Sequence, residues 1–383
     1  MADSKHLIYN AGVKQIPDAD SLSECAFAPW ATNENNWNWF QQGAGDFAGA
    51  NSLLYTNSTK ALIDASAYWA VNDNWIGASL AANGNIYCLP WMGDGILKIV
   101  PSTGALSQIV TTGSRNQAWY GCAVTASNGY IYGIPHNKTS VLKLNPADDS
   151  ISSFGSLTGT AKWFGGVLAN NGSIYGVPYT STSALKIDTT NDTVSTFGSA
   201  GSGTQKWVSG VLAPNGNIYC APYDATTVLK IDTSNDTIST FGSPGSGGDK
   251  WPGSVLAPNG MIYCIPYRGT AVLKIDPTTD TISTFGSYTT AEKWYGGVLG
   301  QDGMIYGFPC KSTSMLRIDP TTDTVSLLTG IVASGNYDWA GGILALNGKI
   351  YGTPSYNTNV LVMGTEKTLS LNHGMSRYIN KGG

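Results

Sequence analysis

Short apolar runs, each bounded by turn residues, fill most of the chain. Read from Trp163, they are WFGGVLA (163–169), SIYGVPY (173–179), ALKID (184–188) and TVSTF (193–197). β-Branched and aromatic residues dominate them, and no ten-residue stretch carries a helical period, so each run predicts a strand. The group then repeats. An Ile-Tyr pair returns with its tyrosine at Tyr87, Tyr132, Tyr175, Tyr219, Tyr263, Tyr306 and Tyr351, and a proline follows three positions later, from Pro90 to Pro354. A tryptophan precedes each pair, at Trp75, Trp119, Trp163, Trp207, Trp251, Trp294 and Trp339, with spacings of 44, 44, 44, 44, 43 and 45. Seven units run from Trp75 to near Asn372.

The polar punctuation agrees. Between the first and second strands every unit carries Asn-Gly or Asp-Gly, from Asn83-Gly84 to Asn347-Gly348. Such pairs accept the two positive φ angles of a type I′ turn, which predicts a two-residue hairpin at each. Asp188-Thr189-Thr190-Asn191-Asp192 and Asp276-Pro277-Thr278-Thr279-Asp280 predict turns between the third and fourth strands. Four antiparallel strands at this period are the pattern of a propeller blade, and seven blades close at ~51° each without a long exposed edge. A β-solenoid would need shorter coils in parallel stacking, which the hairpins oppose. The predicted fold class is all-β: a seven-bladed β-propeller of four-stranded antiparallel blades with an N-terminal extension.

Outside the repeats the pattern changes. Residues 1–50 predict an attachment segment or a cap on the ring. Residues 51–74 predict a linker or partial blade, since Leu53 to Asp64 resembles half a blade and could pair with an edge strand. The propeller would span 75–373 and a polar tail 374–383.

Composition narrows the function. The chain of 383 residues has 47 Gly, only 12% charged residues, 42% apolar residues and a net charge of −4. That apolar content argues against disorder. The charge argues against a nucleic-acid partner. No run reaches 18 apolar residues, so membrane insertion is not expected. The opening MADSKHLIYNAG holds only Leu7-Ile8-Tyr9 as an apolar stretch, too short for a signal peptide, and a reducing compartment is expected.

Reactive groups are sparse. Of six cysteines, Cys88, Cys122, Cys220 and Cys264 occupy positions held by Gly in other units, so they read as small apolar fillers. Cys25 and Cys310 are unassigned. The three histidines, His6, His136 and His373, show no metal spacing, and no metal or cofactor is expected. The Asp-x-x-x-Asp pairs, such as Asp188 with Asp192, read as turn formers rather than calcium ligands. The glycine-rich 198–206 stretch lacks the Gly-Lys-Ser/Thr ending of a phosphate loop. Third-strand lysines (Lys98, Lys143, Lys186, Lys230, Lys274) pair in register with Asp two positions on in several units and read as a solvated face. The innermost strands carry no titratable side chain, so no catalytic constellation is expected.

Aromatic residues are the strongest candidates. Trp163, Trp207, Trp251 and Trp294 open innermost strands and follow Lys162, Lys206, Lys250 and Lys293. Trp91, Tyr179, Tyr223 and Tyr267 begin the loop after the second strand, at the same end. Together these predict one face rich in aromatic planes and hydrogen-bonding groups, a combination suited to sugars. The alternative is that the tryptophans pack between blades.

The unit W-x-G-G-V-L-A-x-N-G-x-I-Y-G-x-P-Y with its L-K-I-D and D-T-x-S-x-F-G segments resembles propeller repeats of scattered microbial and viral proteins. It departs from WD and kelch repeats and lacks the His and Glu of lyase-type propellers. The opening KHLIYNAGVKQIPDADSL resembles the start of tailed-phage fibre and other virion proteins. That resemblance implies a non-enzymatic virion component, assembled in host cytoplasm. It would bind other virion proteins through residues 1–50 and host-surface glycan through the aromatic face, with homo-oligomerisation left open. A decoration or cement protein without a sugar site, and a non-viral multivalent lectin, are the alternatives.

Overall fold

In the computed structural model the described residues are 60–68, 75–111, 117–290, 292–331 and 333–364, together with a hairpin of His6–Tyr9 and Gly12–Gln15. The chain divides into two units. One comprises 1–56 with 367–383, and the other 57–366. Most of the predicted attachment segment, residues 51–59, residues 365–373 and the tail lie outside the described residues.

The larger unit is a seven-bladed β-propeller. Each blade is one four-stranded antiparallel sheet. In the blade that opens at Trp163, the strands are Trp163–Leu168, Ile174–Pro178, Ala184–Asp188 and Thr193–Phe197, within a residue of the predicted ends. Innermost strands of neighbouring blades lie against one another, and Trp339–Leu344 of the last lies against Trp75–Leu80 of the first, so the ring closes. The last blade takes its outermost strand from before the repeats: Lys60–Asp64 pairs with Asn359–Gly364.

The core follows the pattern of the sequence. The second strand is buried throughout, because both of its faces meet neighbouring sheets; Ile174–Pro178 is an example. The third alternates, and the fourth is largely exposed. The apolar clusters lie between blades. Trp163, for instance, packs with Val124, Tyr132 and Ile134 of the preceding blade.

The Asn-Gly hairpins differ from the predicted type I′ turns. Gly172 donates its N–H to Ala169, and Ala169 donates to Ser173, so the loop has three residues. Only Gly172 has positive φ, +80°. This is a type I turn closed by a glycine bulge. The Asn171 side chain explains the preference for that loop. Its Oδ1 accepts the Ser173 N–H at 3.0 Å, while its Nδ2 donates to Tyr175 Oη and to the Thr233 carbonyl of the next blade.

The third-strand lysines are not simply a solvated face. Each reaches the next blade: Lys98–Asp149, Lys143–Asp192, Lys186–Asp236, Lys230–Asp280 and Lys274–Asp323, all at 2.6 Å. The other oxygen of each Asp accepts the repeat tyrosine hydroxyl, as Asp236 does from Tyr175 at 2.7 Å. Burial opposes ionisation of Asp236, but the Lys186 and Tyr175 bonds outweigh it and hold the carboxyl below its usual range. The first Asp of each pair serves its turn, with Asp188 accepting the Thr190 N–H.

Candidate functional site

One end of the ring axis is built by two sets of residues. The first follows the proline of the second strand: Trp91, His136, Tyr179, Tyr223, Tyr267, Cys310 and Ser355. Main-chain bonds fix it from both sides. Tyr223 N–H donates to the Lys206 carbonyl at 2.9 Å, and the Tyr223 carbonyl accepts Lys250 N–H of the next blade at 3.0 Å. The same lacing recurs at His136, Tyr179, Tyr267 and Cys310. The second follows the tryptophan: Ile76, Phe164, Val208, Tyr295 and Ala340. Trp91 stands 5.3 Å from His136, His136 5.4 Å from Tyr179, and Tyr179 6.5 Å from Tyr223, ring centre to ring centre. Tyr295 packs both with the Trp91–Ala340 cluster and with the Val208–Tyr223 cluster, so it spans the axis.

A cavity of about 280 Å³ opens there. Its walls include Trp91, Tyr223, Tyr267, Tyr295, Tyr337 and Tyr356, with Cys310 and Ser355. No charged side chain is among the described lining residues. Burial pushes the Tyr267 phenol up, so it stays a neutral hydroxyl at ordinary pH. Beside the cavity, burial presses His136 down to about 4, so the imidazole is neutral. Its Nδ1 lies 3.1 Å from the Trp163 carbonyl and therefore carries the proton.

One arc of the mouth is charged. Glu292 meets Lys311 and Arg268 and accepts the Tyr337 hydroxyl at 2.8 Å. The Lys311 bond, then those of Tyr337 and Arg268, pull the Glu292 carboxyl to about 2 against the effect of burial. Arg268 also lies 3.4 Å from Asp249. Lys311 Nζ stands 4.6 Å above the Tyr337 ring. Tyr337 is thus held in place as a cavity wall.

The sequence candidates divide. Trp91, Tyr223 and Tyr267 line the cavity, and Tyr179 packs beside it against Phe164. Trp163, Trp207, Trp251 and Trp294 do not join them. They are buried between blades, and each indole N–H donates to a main-chain carbonyl 20 residues on. Lys162, Lys206, Lys250 and Lys293 are buried too, with Nζ turned to main-chain carbonyls. Lys162 donates to those of His136, Lys138 and Gly159 at 2.8–3.0 Å. These eight side chains tie blades together and present no open face to a ligand. His136, Tyr295, Tyr337, Tyr356 and Glu292 were not among the candidates. The register of the residue after each proline would have found His136. The residue two before each tryptophan would have found Glu292 and Tyr337.

No protein-family model matches the sequence, and no curated protein is similar to it by sequence. Solved structures are similar in fold. A streptogramin B lyase superposes with a TM-score of 0.70 at 12% identity, over 82% of this chain and 100% of that one. Virginiamycin B lyase from Staphylococcus aureus gives 0.69 at 11%, over 80% and 99%. The extracellular domain of a putative one component system from B. thetaiotaomicron gives 0.63 at 9%, over 83% of this chain and 44% of that one. These likenesses show the fold alone.

They overturn the exclusion of enzymatic activity drawn from the sequence. Rings of this shape, matched over four-fifths of the chain, include lyases, one of them studied as a catalytically inactive histidine-to-alanine variant with quinupristin. The exclusion rested on innermost strands free of titratable groups. The axial mouth is also built from flanking loops, which place Tyr337 in the cavity wall, Glu292 and Lys311 behind it, and His136 beside Trp91.

Proposed function

We propose that the propeller is a recognition module that takes one small, neutral saccharide unit at its axial mouth. The observation that carries this is the cavity walled by tyrosines and Trp91, with charges held just behind it. Aromatic planes stack on the C–H faces of a sugar ring, and phenol hydroxyls exchange hydrogen bonds with its hydroxyls. The volume is near the lower end of ligand pockets, enough for one small ring. Glu292 supports the reading by accepting the hydrogen bond of the Tyr337 hydroxyl, which leaves the lone pairs of that phenol oxygen to accept from a ligand.

We also propose, from the resemblance of the opening sequence to virion proteins, that residues 1–50 attach the propeller to a tailed-phage particle that displays it to host-surface glycan. Support is the separate unit formed by residues 1–56 and 367–383.

Saturation-transfer NMR against a monosaccharide and short-glycan panel tests the site. Tyr295→Ala and Trp91→Ala weaken the response at least tenfold, and Leu346→Ala, on an exposed turn, leaves it unchanged. Mass spectrometry of the same mixtures reads any conversion of the sugar. A panel with no binder, or binding indifferent to both aromatic substitutions, rejects the saccharide reading. Absence of the chain from purified particles rejects the virion context.

A further inference from the structure

Six of the seven tryptophans that open the innermost strands are held alike. Trp75, Trp163, Trp207, Trp251, Trp294 and Trp339 each donate the indole N–H to a main-chain carbonyl 20 residues on, at 2.7–2.9 Å. Trp119 is only 6% exposed, yet its Nε1 has no partner among the described residues. The register of this blade also differs by one residue. Trp119 pairs with Pro135, sixteen residues on, whereas Trp163 pairs with Pro178, fifteen on. The extra residue sits in a bulge between Trp119 and Ala123, so the carbonyl that answers to Ser183 is that of Ser140.

Trp119 and Ser140 both line a cavity of about 340 Å³ between the first and second blades. In three other blades a large residue of the connecting segment packs on the matching tryptophan. Leu157 packs with Trp163, Ile331 with Trp339, and Tyr288 stands edge-on to Trp294 at 4.9 Å. Thr111 holds that position here, with its N–H on the Asp94 carbonyl as Leu157 has its own on that of Thr139. Threonine is smaller than leucine, isoleucine or tyrosine; Ala200, smaller still, holds the position beside Trp207, whose indole keeps its carbonyl partner.

The walls of that space indicate its ligand. Lys138 lines it, with Nζ 5.5 Å from the centre of the Trp119 ring. Thr111, Ser140 and Ser152 add polar groups, and Val110, Leu142 and Ile151 add apolar surface. No acidic side chain is among the described lining residues. Val110 is 75% exposed, unusual for a valine at a strand end. A buried donor without an acceptor is costly, and an ammonium beside it favours an anionic oxygen.

We propose that this cavity binds a small aliphatic carboxylate. Its oxygens take the Trp119 indole N–H and the Lys138 ammonium, and its hydrocarbon chain lies on Val110 and Ile151. The site shares no lining residue with the axial mouth, so it stands independently of the saccharide reading.

Indole ¹⁵N–¹H NMR of the full chain tests this. Butyrate, hexanoate and N-acetyl-alanyl-valine are titrated, with butanol and butyramide as controls. One indole signal, assigned to Trp119 by its loss in Trp119→Phe, moves downfield and saturates with the carboxylates alone. Lys138→Gln weakens that response roughly tenfold and leaves the signal in place. Preference for hexanoate identifies a free acid as the ligand, and preference for the dipeptide identifies a peptide C-terminus; both support the site. No saturable shift up to roughly 50 mM, where a millimolar site is filled, overturns it. So do equal shifts with butanol, indifference to Lys138→Gln, or a hydrogen bond from that indole to the chain itself in ligand-free protein.

Discussion

A single buried lysine shows how each blade is sealed to the next. Lys293 is 3% exposed, and its Nζ donates to the main-chain carbonyls of Tyr267, Gly269 and Thr290. Burial still wins over these bonds and presses the ammonium down to about 8. The same cause lowers Lys162, Lys206 and Lys250. The folded state therefore gives up these protons before the unfolded chain does, whose lysines hold them to ~10.4. Between those values the unfolded state binds more protons, so stability rises with pH. It falls again above about 10, where unfolded tyrosines ionise and folded ones such as Tyr175, held up by burial, do not. Chemical denaturation from pH 7 to 10 should show the rise, and Lys293→Met should remove on the order of 1–2 kcal/mol of it. A flat profile contradicts this account. The inter-blade Asp makes a second case. Asp236→Ala leaves the Tyr175 hydroxyl and the Lys186 ammonium without their acceptor and puts alanine at φ +56°. A loss of about 2–3 kcal/mol is expected from urea unfolding. Asp188→Ala, at an exposed turn, should lose about 1 kcal/mol or less.

At the level of strands, the repeat told most of the story in advance. Blade number, strand order and strand ends were legible because four runs with fixed turn residues recur seven times. What the pattern could not give was the conformation inside those signals. The Asn-Gly pairs make bulged three-residue loops, and the Asn side chain ties each such loop to the next blade, a tertiary contact that one hairpin does not reveal. The Gly-Gly motif of the innermost strand likewise has a long-range cause. A Cβ on Gly253 would sit 2.5 Å from Gly296 Cα, and one on Gly296 2.7 Å from Gly341 Cα. Neighbouring innermost strands touch backbone to backbone, so the ring is narrow at mid-depth. Gly296→Ala, which also places alanine at φ +69°, should cost about 3 kcal/mol or more. Gly303→Ala meets nothing within 4 Å and carries only the strain of φ +80°, about 1–2 kcal/mol. Equal losses in denaturant unfolding would show that strand-to-strand contact is not what selects glycine.

At the level of the whole ring, the candidate site was only half legible. The residue after each proline keeps register, so Trp91, Tyr179, Tyr223 and Tyr267 could be placed at one end from sequence. Which aromatics turn inward depends on packing between non-consecutive blades, and Tyr295 joins clusters on opposite sides of the axis. Closure has the same character. Strands before and after the ring meet in one sheet, with Lys60 opposite Met363 and Asp64 opposite Asn359. The Lys60 ammonium also reaches the Thr329 carbonyl of the preceding blade. This strand covers the edge of Asn359–Gly364, whose Val360, Leu361 and Met363 are buried. Without it the last sheet would expose an apolar edge ready to pair with another chain. The seam against the first blade would also weaken, since Ile63 packs on the cluster of Trp75, Leu97 and Val360. Removing residues 1–64 should therefore lower the melting temperature by about 10 °C or more and produce concentration-dependent association. Removing residues 1–56, which leaves the closing strand in place, should change neither. Size-exclusion chromatography and thermal unfolding of both truncations decide the matter. Equal behaviour would mean that the remaining strands hold the ring closed without a strand from the other end of the chain.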